Sequence, residues 1–372
     1  MRIGIDARMY GPENTTGIGA YIKYLTDQLF TIDESNEYVL FMREPAQSQF
    51  VAPNDRVKTV LADVPWYSLA EQLKLPRLLF KQKLDLVHFP HFNAAVFYPK
   101  KYILTVHDIT PKFFPGPNVK KSMVRKIGYE VVFRLGLKRA KKIITISNHT
   151  KENLVKYFNV DAKKIEVIYL GVDSRFAVIE DEVAMADFKK KNKIIKPFIF
   201  YVGVWRDHKN IENLVRAFDL LKKDFKLDYQ LVLGGKPDSR YPEIMKAIEN
   251  SQFRSDIILP GFISDADLPL FYNAANLFVL PSFCEGFGLV ALESLACGTP
   301  VVGSKTTSLP EILEDAAIYF DPNDPADIAK AINRLLADRD LYNDFKNRGL
   351  KQAQKYSWRE CAEKTLAFYR SV

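Results

Sequence analysis

The sequence predicts an α/β protein built from two doubly wound parallel sheets, and three observations carry that expectation. Short β-branched runs alternate with longer amphipathic stretches from end to end, which is the pattern of βα units. These runs fall into a group of seven and a group of six, enough for a sheet in each half. Between the groups, residues 181–197 (DEVAMADFKKKNKIIKP) are charged, lack strand character and end in proline, as a boundary does. At 372 residues with 47% hydrophobic content, the chain is long enough for two sizeable cores.

In chain order, the first-half strands are expected in RIGIDA, EYVLFM, VKTVLA, LDLVHF, YILTVHD, KKIITIS and KIEVIYLG. The second-half strands are expected in FIFYVGV, YQLVLGG, DIILPG, NLFVLPS, TPVVGS and AIYFD. The expected domains are residues 1–183 and 184–355. Residues 356–372 form a last helix, capped by Ser357 and apolar along Trp358, Cys361, Leu366 and Phe368, which is expected to cross back to the first domain.

Several function classes fall away. Cys284, Cys297 and Cys361 form no CxxC pair, so reduced thiols are expected rather than disulfides or a zinc site. The opening MRIGIDARMYG alternates like a strand and lacks the apolar core of a signal peptide, so a cytoplasmic protein is expected. No apolar run approaches the ~18 residues that suggest a membrane span, which leaves peripheral contact only. There is no helix-turn-helix, zinc-finger or RNP signature, so nucleic acid is not an expected partner. The Gly17-x-Gly19 pair is not a dinucleotide fingerprint, because Ile22 stands where a third glycine is needed. Asp265-Ala-Asp267 reads as the polar start of a helix, and no metal is expected.

The net charge of +8 is uneven. Residues 1–190 hold 29 Lys and Arg against 21 Asp and Glu, while residues 191–372 hold 24 of each. Residues 118–142 alone carry nine basic residues against Glu130, interleaved with Met123, Ile127, Val131, Phe133, Leu135 and Leu137. A basic amphipathic surface of this kind suits an anionic membrane.

Ligands of open α/β sheets bind at the carboxyl ends of the strands, so the loops there carry the chemistry. CEGFGLVALESLACGTPVV, residues 284–302, reads as a loop, a helix ended by Gly298 with Pro300 behind it, and a strand. Gly286 and Gly288 admit close backbone approach, and the helix N-terminus offers N–H groups suited to a phosphate. An acid there is repelled by an anion, so Glu285 and Glu293 suit hydroxyls. In the first half, TVHD brings His107 and Asp108 to a sheet edge. Gly17 and Gly19 open a βα loop that Asn14, Thr15 and Thr16 make polar.

Glu285 and Glu293 form an E-x7-E pattern, and PSFCEGFGLVALESLACGTPVV closely resembles glycosyltransferase family 4, the retaining nucleotide-sugar transferases of the GT-B fold. The resemblance runs over nearly the whole chain, through GIGAY, DLVHFPHF, TVHDITP, ITISNHT, VIYLGVD, YVGVWRDHKN, LPGFISDADLPLFYNAANLFVLPS and YSWRECA. It implies two Rossmann-like domains facing a central cleft, the first binding acceptor and the second the nucleotide-sugar. It implies that Glu293 holds the donor ribose, that Glu285 and His107 lie at the transferred sugar, and that amides around Phe287, Gly288 and Leu289 hold sugar and diphosphate. Gly17 and Gly19 would approach the diphosphate or the acceptor. Lys209 matches the lysine that neutralises the leaving diphosphate. Many relatives have arginine directly after the glycine matching Gly203, whereas this chain has Val204 and offers Arg206.

The implied reaction is retaining hexosyl transfer without a cofactor, from GDP-mannose first or a UDP-hexose second, to a glycan or polyprenyl-linked acceptor in surface-polysaccharide assembly. A nucleotide-sugar epimerase or hydrolase, and a non-catalytic nucleotide-sugar binder, are the rival readings.

Overall fold

A computed structural model describes residues 1–11, 17–117 and 122–372, with Arg125 described by its backbone only. The expected loop residues Asn14, Thr15 and Thr16, and the basic residues Lys120 and Lys121, lie outside the described residues.

The chain divides into two compact units, residues 1–171 with 357–372, and residues 172–356. The first holds a sheet of β1 (Arg2–Asp6), β2 (Glu37–Met42), β3 (Val57–Leu61), β4 (Leu86–Phe89), β5 (Tyr102–Val106), β6 (Lys142–Thr145) and β7 (Ile165–Val167). Its order is β3-β2-β1-β4-β5-β6-β7, with every pairing parallel. The second holds β8 (Phe198–Val202), β9 (Gln230–Gly234), β10 (Ile257–Gly261), β11 (Leu277–Leu280), β12 (Val301–Ser304) and β13 (Ala317–Phe320). Its order is β10-β9-β8-β11-β12-β13, again all parallel. All thirteen strands fall inside the runs read from the sequence. Central strands such as β4, β5 and β11 are buried at every residue, which is why they read as continuous apolar runs rather than alternating ones.

Each order reverses once, between β1 and β4 in the first unit and between β8 and β11 in the second. Two loops diverge at such a point and leave a crevice at the carboxyl edge. The loop after β8 carries Lys209, and the loop after β11 carries Glu285.

The division falls at 171/172 rather than at the expected 183/184. Residues 176–188 are held by the second unit: Asn273 Nδ2 donates to the Ala177 carbonyl and its Oδ1 accepts from Ile179 N. The charged stretch is itself a helix, Glu182–Lys191, capped by Asp181, and its buried Phe188 meets Phe271 edge-on.

The C-terminal helix Trp358–Arg370 is capped by Ser357 and belongs to the first unit. Trp358 stacks on Tyr24, while Cys361, Leu366 and Phe368 are buried. A Cβ on Gly171 would lie 1.9 Å from Trp358 N, so only glycine lets the two backbone segments meet there. Tyr369 and His88 Nδ1 are 2.7 Å apart, His88 Nε2 and the Thr105 hydroxyl 2.8 Å, and Thr105 and the Tyr21 hydroxyl 3.1 Å. This buried chain ties the last helix to β4, β5 and the helix Gly17–Ile32. No helix among the described residues is long and apolar enough to cross a membrane.

Candidate functional site

In the second unit, β8 ends at Val202; a Cβ on the next residue, Gly203, would lie 2.9 Å from the buried Tyr201 hydroxyl, and a short 3₁₀ turn, Asp207–Lys209, follows. Asn210 takes a left-handed conformation and is buried. Its side-chain amide donates to the carbonyls of Pro281 and Pro322, at 2.9 and 2.7 Å. That clamp fixes the Lys209 turn against the end of β11.

Lys209 Nζ donates to both oxygens of Glu285, at 2.7 and 2.9 Å, and the two side chains keep only 17% and 11% of their surface in water. Ser282 Oγ donates to the same carboxylate at 2.6 Å. Thr307 accepts from Glu285 N and Ser308 donates to Glu285 O, so three hydroxyls hold the loop. Hydrogen bonds to charged groups each contribute about 1.5–3 kcal/mol when protected from water. Lys209 is neutralised by the Glu285 carboxylate across the crevice.

Gly286, Phe287 and Gly288 are all buried. The Phe287 ring packs edge-on against Tyr356. Gly288 is the N-cap of the helix Leu289–Ala296, at φ +89°, and a Cβ there would fall 2.5 Å from Leu309 Cδ2. Gly288 has no side chain to cap this helix, while Ala291 and Leu292 N donate back to the Gly288 carbonyl, so the end that suits an anion is the N–H of Leu289 and Val290.

Glu293, on the second turn of that helix, is buried and accepts a hydrogen bond from Tyr272 at 3.0 Å. Burial pushes its carboxyl up to about 8, against the downward pull of the Tyr272 hydroxyl and the Arg175 charge. A carboxyl so placed is poised to accept hydroxyl hydrogen bonds once ionised. Arg206 is exposed, and its charge acts on Asp238 and Tyr241.

In the first unit, His107 follows β5. Its Nε2 lies 2.9 Å from the Pro90 carbonyl, which can only accept, so Nε2 carries the proton and Nδ1 is an acceptor. Burial holds the imidazole below its ordinary value, hence neutral. Tyr21 meets it edge-on at 4.8 Å, and Tyr21 is the end of the chain from Tyr369. Gly17 is the exposed first residue of the helix Gly17–Ile32, and Gly19 is buried one turn in.

The sequence pointed to the charged groups and missed their holders. Asn210 stands immediately after Lys209 and before an apolar run. Tyr272 lies inside the FYNAANLF stretch, and Thr307 and Ser308 lie in the hydroxyl cluster KTTS that follows β12. Hydroxyl clusters in loops after strands were the available signal. Also missed was a buried ionic cluster, Asp6, Arg8, Glu71 and Asn93, at the ends of β1 and β4.

A family model described as Glycosyl transferases group 1 matches residues 185–352, and one described as Glycosyltransferase Family 4 matches residues 16–176. The O-antigen chain mannosyltransferase B of Escherichia coli is 30% identical over 372 residues, covering 95% of this chain and 96% of that protein. The O-antigen chain mannosyltransferase RfbU of Salmonella typhimurium is 26% identical over 298 residues, covering 80% and 78%. Among solved structures, sucrose-phosphate synthase from Thermosynechococcus elongatus superposes with a TM-score of 0.80 at 22% identity, over 100% of this chain and 98% of that one. Anabaena Alr3699/HepE, solved in complex with UDP and glucose, gives 0.78 at 16% identity over 100% of both chains.

The raised Glu293 carboxyl makes a pH prediction. Its folded value of about 8 lies above the ordinary 4.5, so the stability of the neutral form is fully present below about pH 4.5 and is lost as pH rises to about 8. Glu293→Gln stays neutral throughout. Its melting temperature should gain on wild type between pH 5 and 9, by about 2–4 °C for each kcal/mol of desolvation relieved. A gap that is the same at both pH values contradicts the buried-carboxyl account.

Proposed function

The chain belongs to the family 4 glycosyltransferases of the GT-B fold, and from that premise we propose that it moves a hexose, mannose first, from a nucleotide diphospho-sugar with retention at the anomeric carbon. The activity is glycosyl transfer in polysaccharide biosynthesis. The epimerase, hydrolase and non-catalytic readings give way to it.

The observation that carries the mechanism is the Lys209–Glu285 pair beside a helix N-terminus whose N-cap is Gly288. Lys209 turns from Glu285 to the diphosphate as the donor enters, and the N–H groups from Leu289 onwards receive the phosphate oxygens. Glu285, released, accepts from hydroxyls of the transferred sugar, and in the first unit His107 Nδ1 is an acceptor for a sugar hydroxyl. Glu293 accepts from the ribose hydroxyls. The acceptor oxygen attacks the anomeric carbon from the face the diphosphate leaves. The bond to phosphate breaks with its electron pair, and the departing phosphate oxygen takes the acceptor proton. Lys209 compensates the developing charge, and no metal takes part. GDP-mannose is the first donor and a UDP-hexose the second. The E. coli and Salmonella relatives named as O-antigen mannosyltransferases support mannose, and the Anabaena structure with UDP supports the alternative.

The acceptor is a glycan or polyprenyl-linked saccharide, met at the inner face of the plasma membrane. The helix Met123–Arg139 supports this. Met123, Val124, Ile127 and Val131 are exposed, as are Arg134 and Lys138. At 3.6 residues per turn these six share one stripe about 100° wide, apolar at its start and basic at its end. Phe133 and Leu137 instead face the core.

Glu293→Ala should weaken binding of nucleoside diphosphate about tenfold or more, measured by calorimetry. Glu285→Ala should bind it as well as wild type or better, because Lys209 is freed, and should lose turnover. Unchanged nucleotide affinity in Glu293→Ala contradicts the ribose assignment.

For the membrane, wild type should sediment with vesicles of anionic lipid at low salt and release at high salt. The pair Ile127→Asp and Val131→Asp should abolish sedimentation. Wild type remaining in the supernatant at low salt refutes peripheral docking and favours a soluble acceptor.

A further inference from the structure

Two large aromatic side chains, Trp66 and Tyr67, stand in water at 37% and 61% exposure in the loop between β3 and the helix Leu69–Lys81. Beneath that loop lies a cluster of charges almost wholly out of water. Arg8 is 2% exposed, Asp6 8%, Glu71 0% and Asn93 5%. Arg8 Nε and Nη2 donate to the two Asp6 oxygens at 2.7 Å each, Nη2 also reaches Glu71, and Nη1 donates to the Val64 carbonyl. Asn93 Nδ2 donates to both Glu71 oxygens. The other anchor is local, Tyr67 N donating to Glu71 Oε2 at 2.9 Å while Tyr67 holds a positive φ of 57°.

A buried ion cluster is weak evidence for stability, since desolvation offsets most of the Coulomb gain. What this one visibly does is fix Val64 and Tyr67 at the two ends of the exposed aromatic pair. Flat apolar rings held rigidly and left in water, with polar groups around them, match a ligand that has one apolar face and a rim of hydroxyls.

The surroundings agree. Arg43 lies over the Trp66 ring at 4.8 Å and is anchored by Asp63. An open cavity of about 640 Å³ runs along Trp66, walled by Tyr10, Arg43, Glu44 and Gln49. A narrow cleft shared by Trp66, Asn93 and His91 leads on from it. Tyr67 and His91 have ring centroids 6.3 Å apart, and His91 and His107 6.4 Å. Tyr67 is thus linked, within one unit, through His91 to the histidine placed at the transferred sugar.

We propose that Trp66 and Tyr67 are a saccharide platform: the C–H face of an acceptor sugar stacks on these rings, and Arg43, Glu44 and Gln49 meet its hydroxyls. This rests on the glycosyltransferase reading and names where the acceptor glycan lies.

Of the three tryptophans, Trp205 and Trp358 are 1% and 5% exposed, so a change in emission on adding a saccharide reports on Trp66. The full chain is titrated with mannotriose, followed by tryptophan emission and by saturation transfer to the sugar protons. Thermal shift with GDP-mannose and with UDP-glucose is measured in parallel. Mannotriose should change the wild-type emission. Trp66→Ala, at an unchanged melting temperature, should weaken mannotriose about tenfold or more by saturation transfer, whereas Trp66→Phe should stay within about threefold of wild type. Tyr67→Ala supplies a second variant and should also weaken it. Mannotriose binding to Trp66→Ala and Tyr67→Ala at wild-type affinity overturns the platform. So does an absence of mannotriose binding to wild type that a nucleotide-sugar stabilises. If mannotriose binds through Trp66 while neither nucleotide-sugar shifts the melt, the platform stands and the donor reading falls.

Discussion

One ion pair organises the second unit's crevice. Lys209 and Glu285 come from loops after β8 and β11, strands that are neighbours only because the sheet order reverses between them. Each charge, left alone with most of its surface out of water, is costly, and each is the other's compensation. The surrounding hydroxyls and the Asn210 clamp hold the backbone that brings the two together. In the reading proposed above, an arriving diphosphate takes Lys209 as its partner and leaves the Glu285 carboxylate to accept from hydroxyls. Self-pairing keeps the two charges compensated and in place.

The first unit shows the same construction with different parts. His107 is neutral, its tautomer set by a carbonyl and its ring by Tyr21, which a buried hydrogen-bond chain connects to the final helix of the protein. Charges at that sheet edge are buried and mutually satisfied in the Arg8 cluster, while aromatic surface is left in water. In both units rigid strand ends carry these groups, and hydrogen bonds from neighbouring loops decide which atom faces outward.

The strands were legible because both sheets are parallel and buried, so β-branched runs had no competing explanation. The E-x7-E block was legible because glycines, acids and a helix start coincide in one short string. Three features were not. The charged stretch 181–197 read as a linker because its helix buries mainly Phe188, which composition cannot distinguish from a solvated segment. The sequence offers Arg206 in place of an arginine directly after Gly203; the structure shows it exposed, with Trp205 buried beside it. The holders, Asn210, Tyr272, Ser282, Thr307, Arg8 and Glu71, act across 21 or more residues of chain, from Tyr272 to Glu293 up to Ser308 to Glu285 and Arg8 to Glu71, or through backbone groups, and only the fold brings them to their partners. Ser282 is the near exception, three residues from Glu285.

The central claim is that Lys209 leaves Glu285 for the diphosphate. Lysine side-chain NMR tests it most directly, with the protein labelled at lysine Cε and Nζ and the Lys209 signal identified by its loss in Lys209→Arg. Saturating GDP or UDP should move the Lys209 signal, while the corresponding nucleoside, which lacks the diphosphate, should leave it in place. A Lys209 signal unmoved at saturating nucleoside diphosphate would mean that the lysine stays with Glu285, and the account of the site would be wrong.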